Sequence, residues 1–465
     1  METEKDYNSR LVWANSFHVS LSFFLVGYSL SSFNSSYANI ASTLGWEENS
    51  IYIPIANSLF CIGSLLGSAI GPKLSHIYGY RKIIIFTCFL MFISSTLSII
   101  PFTLSFCLGR LLVGHYVGII LPIIPIYLND ITPDEMFGKV GPLLQISFDF
   151  GMVMTCSLSL FLPSENLETS IFNYFWMFIF ALPILFASYQ LWYFFIFCKY
   201  DSPNWYLRKG KKPEAIKALM VIYSEKGYKK GLKRFEKSDE NKDIKSELLI
   251  NQQNPTYVDV LCKKKYRKMI RMAILMSIIQ QFSGICAIIL YSTSLYRQVG
   301  GSLMVSKVLT LLTFIVNMAS GILVIPLLDR YGRKTLLLSG QTGILIDFLI
   351  LSVVSGFFDT GVVVPAICIF IFFILFTISL GTTYWAFLGE AVNDISLGIG
   401  TMCGTVSMVF LSFNFPFAVR YFGISGSFLG FTAILAVAIV YQYFELFETK
   451  GKTKQEIQKI VFKDN

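Results

Sequence analysis

Stretches of about twenty mostly apolar residues, each long enough to cross a bilayer as a helix, recur along almost the whole chain. Twelve of them fit into 465 residues: 12–33, 51–72, 83–101, 104–128, 140–162, 171–198, 269–296, 303–328, 335–357, 362–388, 397–419 and 421–444, the fifth and eleventh with the least sharp edges. In lipid the backbone must satisfy its own N–H and C=O groups, so a segment of this length has to be a helix. The sequence therefore predicts an all-α integral membrane protein with twelve transmembrane helices. Only 14% of the residues are charged, against about 25% in a soluble domain.

The spans fall six and six around a polar linker, which divides the chain into 1–198, a linker 199–268, 269–444 and a tail 445–465. Between Lys199 and Arg271 lie 20 of the 38 Lys and Arg residues and 9 acidic ones. A basic stretch of this kind can attract nucleic acid, but between membrane spans it marks the cytoplasmic side. Loop 34–50 carries Glu47 and Glu48, loop 163–170 carries Glu165 and Glu168, and neither has a Lys or Arg. Both termini are therefore expected in the cytoplasm. Residues 212–223 and 257–262 have helical spacing, and 224–246 reads as a solvated, mobile segment. The first span lacks a small-residue cleavage pattern and is expected to be retained. Nine scattered cysteines give neither a disulfide framework nor metal-ligand spacing, so no metal and no cofactor are expected.

Asp329-Arg330-Tyr331-Gly332-Arg333-Lys334 follows the eighth span, and an eroded relative, Ser75 to Lys82, follows the second. One charged turn at the same place in both halves indicates an internal duplication, a common construction among secondary transporters. Ser75 and His76 replace the acidic and basic residues of the second copy, so a latch built on these turns should rest mainly on the C-terminal half.

Polar residues at membrane depth are mostly neutral: Gln145, Gln280, Gln281, Ser283, Asn317, Thr382, Thr383 and Trp385. Side chains that both donate and accept, with a flat aromatic face, match a neutral hydroxyl-rich solute. A lone amide also serves well as a helix–helix hydrogen bond, yet the adjacent Gln280-Gln281 pair favours a functional role. Tyr291 extends the polar face of that helix. Gly63, Gly67 and Gly71 in the second span, and Gly109, Gly114 and Gly118 in the fourth, suit close helix packing.

QQFSGICAIILYSTSLY (280–296) resembles the seventh-helix signature of the sugar-porter family in the major facilitator superfamily. GRLLVG (109–114), YLNDITP (127–133), DSPNWYL (201–207), DRYGRK (329–334) and FETKGKT (447–453) fit the same family in its order and spacing. The resemblance implies two pseudo-symmetric six-helix bundles that alternately expose a central site. It further implies that Gln145, Gln280, Gln281 and Asn317 hydrogen-bond sugar hydroxyls while Trp385 stacks below the ring. Cys286 stands where the family usually has a sugar-binding Asn. The tenth helix, SLGTTYW (379–385), lacks both of the family's prolines, which questions its gating. The Asn-Trp pair expected on the eleventh helix is also missing.

Arg81, Arg110, Asp130, Asp201, Asp329, Arg330, Arg333, Lys334, Glu390 and Glu448 fall where the resemblance implies a cytoplasmic latch tying the halves together in the outward-open state. Phe137, Asn204 and Leu397 occupy positions that are usually Arg, so that latch should be weak. Proton-linked members generally have an Asp after a Gly-aromatic pair in the first helix; here Ser29 follows Gly27-Tyr28. Facilitated diffusion of a hexose or related polyol is therefore expected. Asp149, four residues after Gln145 on one face of the fifth span, keeps substrate contact and proton symport open. A non-transporting sugar sensor is the third reading, opposed by the short tail. No phosphate-cradling GxxxxGK[ST] loop or catalytic constellation is present, so the chain is not expected to be an enzyme. The expected partners are a sugar and the bilayer, with no nucleic acid and no obligate protein, and the cell surface is the expected location.

Overall fold

The computed structural model describes residues 7–47, 50–133, 136, 140–165, 167, 170–223, 232, 262–324, 327, 330–358, 361–450, 452 and 456–457. The segment 224–246, apart from Leu232, and the expected turn at 257–261 lie outside the described residues, as does Asp329. Helices make up the described chain almost entirely. Its one β-type feature among the described residues is an antiparallel bridge between Tyr7 and Tyr223.

The N-terminal half contains α1 (Ser9–Leu44), α2 (Tyr52–Tyr78), α3 (Tyr80–Ile99), α4 (Thr103–Ile131), α5 (Pro142–Ser159) and α6 (Phe175–Ile196). Asn8 starts α1 by accepting the Leu11 N–H at 3.2 Å, and Gly45 ends it at φ 67. Two short helices follow in the linker, α7 (Pro203–Arg208) and α8 (Lys212–Ile222). The linker is tied back to the chain start, where the Asn8 N–H donates to the Ile222 carbonyl at 3.0 Å.

In the C-terminal half, α9 (Arg267–Gln280) and α10 (Cys286–Gln298) form one span through a π turn at Gln281–Ile285. Then come α11 (Leu303–Leu323), α12 (Arg333–Phe357), α13 (Val363–Phe376), α14 (Thr382–Ala391) and α15 (Asp394–Glu445). Fifty-two helical residues would reach about 78 Å, far beyond one bilayer, and Gly423 at φ 69 breaks α15 into the eleventh and twelfth spans. Ten described stretches are long and apolar enough to cross a membrane, α15 counted once. With α5 and the two parts of α15, the twelve expected spans are all helical.

Packing follows the small residues. A Cβ on Gly63 would come within 2.0 Å of the Leu111 carbonyl oxygen, and one on Gly118 within 2.0 Å of the Ser64 oxygen. The backbones of α2 and α4 therefore touch, as the glycine spacing predicts. α6 buries Trp176 and Phe194 while exposing Leu185, Trp192 and Phe195, an apolar circumference suited to lipid on one side and protein on the other. The halves meet where α1 packs on α10, α5 on α11, and α2 on α15.

Candidate functional site

At mid-depth, where α5 faces α11, Asp149 is buried and accepts hydrogen bonds from both halves. Gln145 Nε2 donates to both carboxylate oxygens at 3.1 Å, one turn away on the same helix, and Asn317 Nδ2 donates to Oδ1 at 3.0 Å. The Asn317 Oδ1 in turn accepts from Thr377 Oγ1 at 3.1 Å. Thr377 opens a second π turn, Thr377–Gly381, that joins α13 to α14. Three sequence-predicted residues thus converge, and they do so beside an interruption of the tenth span.

Gln280 Nε2 donates to the Leu380 carbonyl at 2.9 Å, so this amide braces the same π turn. Gln281 is half-buried, with no hydrogen bond described for its side chain. Trp385 is 51% exposed and meets the edge of Tyr384, ring centroids 5.0 Å apart. Cys286 and Tyr291 are buried, with Sγ directed at the Met408 carbonyl at 3.7 Å and the phenol donating to the Ser412 carbonyl. In this conformation both hold α10 to α15, and neither presents an open polar group for the expected sugar contact. The missing prolines of the tenth helix do not abolish its break; a π turn with Gly381 supplies it.

On the face away from the linker, the halves are joined by groups that the sequence reading did not single out. Asn34 Nδ2 donates to the Ile289 carbonyl at 2.9 Å and to Ser292 Oγ at 2.7 Å, while its Oδ1 accepts the Thr293 N–H at 3.2 Å. Lys307, 1% exposed, donates to Asn39 Oδ1 at 3.1 Å and to the Leu162 and Pro163 carbonyls at 3.2 and 3.4 Å. Ser412 Oγ donates to Ser58 Oγ at 3.2 Å. A lysine within an otherwise apolar span was the available signal.

The charged turns on the linker face close within their own halves. Gly79 (φ 96) and Gly332 (φ 84) open α3 and α12. Asp201 accepts the Tyr80 and Arg81 N–H groups at 3.1 and 3.0 Å; Glu448 accepts those of Arg333 and Lys334 at 2.8 and 3.0 Å. A carboxylate from just beyond the last helix of each half thus caps the corresponding helix start, where the backbone N–H groups lack partners. Arg81 donates to the Phe194 carbonyl at 2.9 Å, Lys334 to the Tyr443 carbonyl at 3.1 Å, and Lys450 to the Arg330 carbonyl at 2.9 Å. Glu390 pairs with Arg333 at 2.9 Å, while Asp130 accepts from Ser202 and from Asn204 at 3.3 Å.

One expectation about the latch is corrected. Arg110 lies two turns into α4 from Thr103, toward the face away from the linker, and is fully buried. Its place in the fourth span puts it far from the charged turns, so it is no part of such a latch. The remaining described contacts tie each half to itself in this conformation, whose halves are joined on the opposite face and at mid-depth; the latch is expected in the outward-open state. Gln145, one turn closer to the linker face than Asp149, is exposed although it points at the junction. The centre is therefore open toward the linker face.

Burial raises the Asp201 carboxyl to about 6, against the pull of the Ser202, Arg81 and Tyr80 N–H groups. Burial also acts on Glu448, but there the N–H groups of Lys450, Arg333, Lys334 and Thr449 prevail and hold it below the usual range.

A family model described as "Sugar (and other) transporter" matches residues 14–461. Hexose transporter 1 of Toxoplasma gondii is 26% identical over 93% of this chain and 80% of its own length. Facilitated glucose transporter member 2 of solute carrier family 2, from Gallus gallus, is 24% identical over 91% and 80%. Among solved structures, the xylose transporter XylE from E. coli in a partially occluded inward-open conformation matches with a TM-score of 0.80 at 20% identity, covering 96% of this chain and all of that one.

Proposed function

The chain belongs to the sugar transporter family of membrane proteins, and from that membership we propose that it carries a hexose or related sugar across the membrane by alternating access, down its gradient. The observation that carries this reading is the Gln145–Asp149–Asn317–Thr377 cluster, which joins the two halves at mid-depth. Groups that bond across the centre in one state are available to sugar hydroxyls when the halves part. The amides of Gln145, Gln281 and Asn317 and the exposed face of Trp385 are the proposed sugar contacts. Relatives named as hexose and facilitated glucose transporters support the substrate class. Saturable uptake of labelled glucose is expected in proteoliposomes, weakened by Gln281→Ala; no saturable uptake of any hexose, pentose or polyol would sink the proposal.

Proton symport is the second reading, favoured by the buried Asp149, for which no cationic partner is described. Uptake that ignores collapse of the pH gradient, and an Asp149→Asn variant with the same pH profile as the parent, would exclude it. The absence of a carboxylate at Ser29 supports uniport.

We further propose a plasma-membrane location with the two termini and the basic linker in the cytoplasm. Cys262 is exposed in that linker. In intact cells a membrane-impermeant maleimide should leave it unlabelled, and permeabilisation should make it react; labelling in intact cells would reverse the orientation.

A further inference from the structure

Arg110 carries a charge that the transport proposal does not use. Its Nη1 donates to the Ser29 carbonyl at 3.1 Å, and the rings of Phe33 and Phe60 lie 5.5 and 4.5 Å from the guanidinium carbon. Nε and Nη2 are buried with no hydrogen-bond partner, and so is the Ser29 hydroxyl. Arg110 and Ser29 border a cavity of ≈ 20 Å³ lined also by Ser32, Ser94, Ser95 and Ser98, and no lining residue is acidic. The hydroxyls of Ser32, Ser94 and Ser98 already donate to carbonyls of their own helices. The unused hydrogens bordering this space include those of Arg110 Nε and Nη2 and of the Ser29 hydroxyl, the first two on a permanent cation.

A guanidinium at membrane depth without a counter-charge is costly. The two aromatic faces offset part of that cost. A water molecule would satisfy the open N–H groups but leave the charge, and the space is large enough for one small occupant. An anion meets both demands, since charged donors bind an anionic acceptor more strongly than a neutral one. We propose that this cavity binds a single small monovalent anion of the chloride type, held by Nε and Nη2 of Arg110 and the hydroxyl of Ser29. The site lies inside the N-terminal half, apart from the cluster around Asp149.

The test uses the purified full-length protein, titrated with chloride against methanesulfonate at constant ionic strength. Anything that binds the folded state alone raises its melting midpoint. The midpoint should rise saturably by a few degrees with chloride, bromide should substitute for it, and a bromide-soaked crystal should show an anomalous peak beside Arg110. Ser29→Asp brings its own carboxylate to the guanidinium and should abolish the chloride response. Equal midpoints in the two salts, or a bromide-soaked crystal with no peak at Arg110, would overturn the site and leave water as its occupant. A full chloride response in Ser29→Asp would also overturn it. If that variant does not fold, the wild-type titration and the bromide peak decide.

Discussion

Asp149 has three hydrogen-bond donations from two amides, one of them from the opposite half of the molecule. Asn317 is the link, donating to Asp149 and accepting from Thr377. Removing it leaves a buried carboxylate and a hydroxyl each short of a partner, a loss of about 1 kcal/mol per bond. Asn317→Ala should weaken sugar affinity about tenfold in an uptake or binding assay, with the melting midpoint lowered only modestly. Unchanged affinity would remove Asn317 from the proposed contacts. Gln145, Asp149 and Asn317 were legible because polar side chains at membrane depth are rare and need a reason. Tyr291 and Cys286 were not, because a sequence does not say whether a hydroxyl or thiol meets solute or the carbonyl of a helix more than a hundred residues away.

Among elements, the two charged turns carry the same device: a glycine at positive φ, a new helix start, and a distant carboxylate on its first N–H groups. The two carboxylates respond to pH in opposite senses. Asp201 titrates higher when folded, to about 6, so the folded state holds its proton more tightly. Its contribution is greatest below about pH 4 and falls as pH rises through 6. Glu448 titrates lower when folded, so its contribution is present above the ordinary Glu value and is lost as pH falls through the folded value. The midpoint difference between parent and Glu448→Gln should therefore grow from acid to neutral pH, whereas that for Asp201→Asn should shrink. Parallel pH trends in the two variants would refute the assignment. The repeat itself was legible. Both turns are capped by a distant carboxylate, and Arg333 of the second also pairs with Glu390. Breaks in the seventh and tenth spans also belong to this scale. Gly284 sits at φ 92 with Phe348 ring atoms 3.1 Å from where a Cβ would be. Gly284→Ala should cost roughly 1–3 kcal/mol of strain and lower the melting midpoint; a midpoint equal to the parent's would show that the turn relaxes.

For the whole molecule, the deciding feature is which face is closed. Lys307 and Asn34 join the halves on the side away from the linker, and the centre opens toward the linker. A lysine that leaves three acceptors when this face opens favours the closed state by about 1–3 kcal/mol, enough to shift a two-state population roughly fivefold or more. Lys307→Met should therefore raise the fraction of molecules open on that face, read as a longer distance between spin labels at the outer ends of α2 and α11. An unchanged distance distribution would show that other contacts set the balance. The sequence by itself determined the membrane class, the helix count, the duplication and the family, because apolar length, charge asymmetry and local motifs are properties of the chain read in order. Tertiary structure alone decided that Arg110 borders a cavity inside the N-terminal half, that Gln280, Cys286 and Tyr291 serve the helix junctions, and that Lys307 closes the far face. Those outcomes depend on which side chains meet across spans far apart in the chain, and on which of two packings the halves adopt.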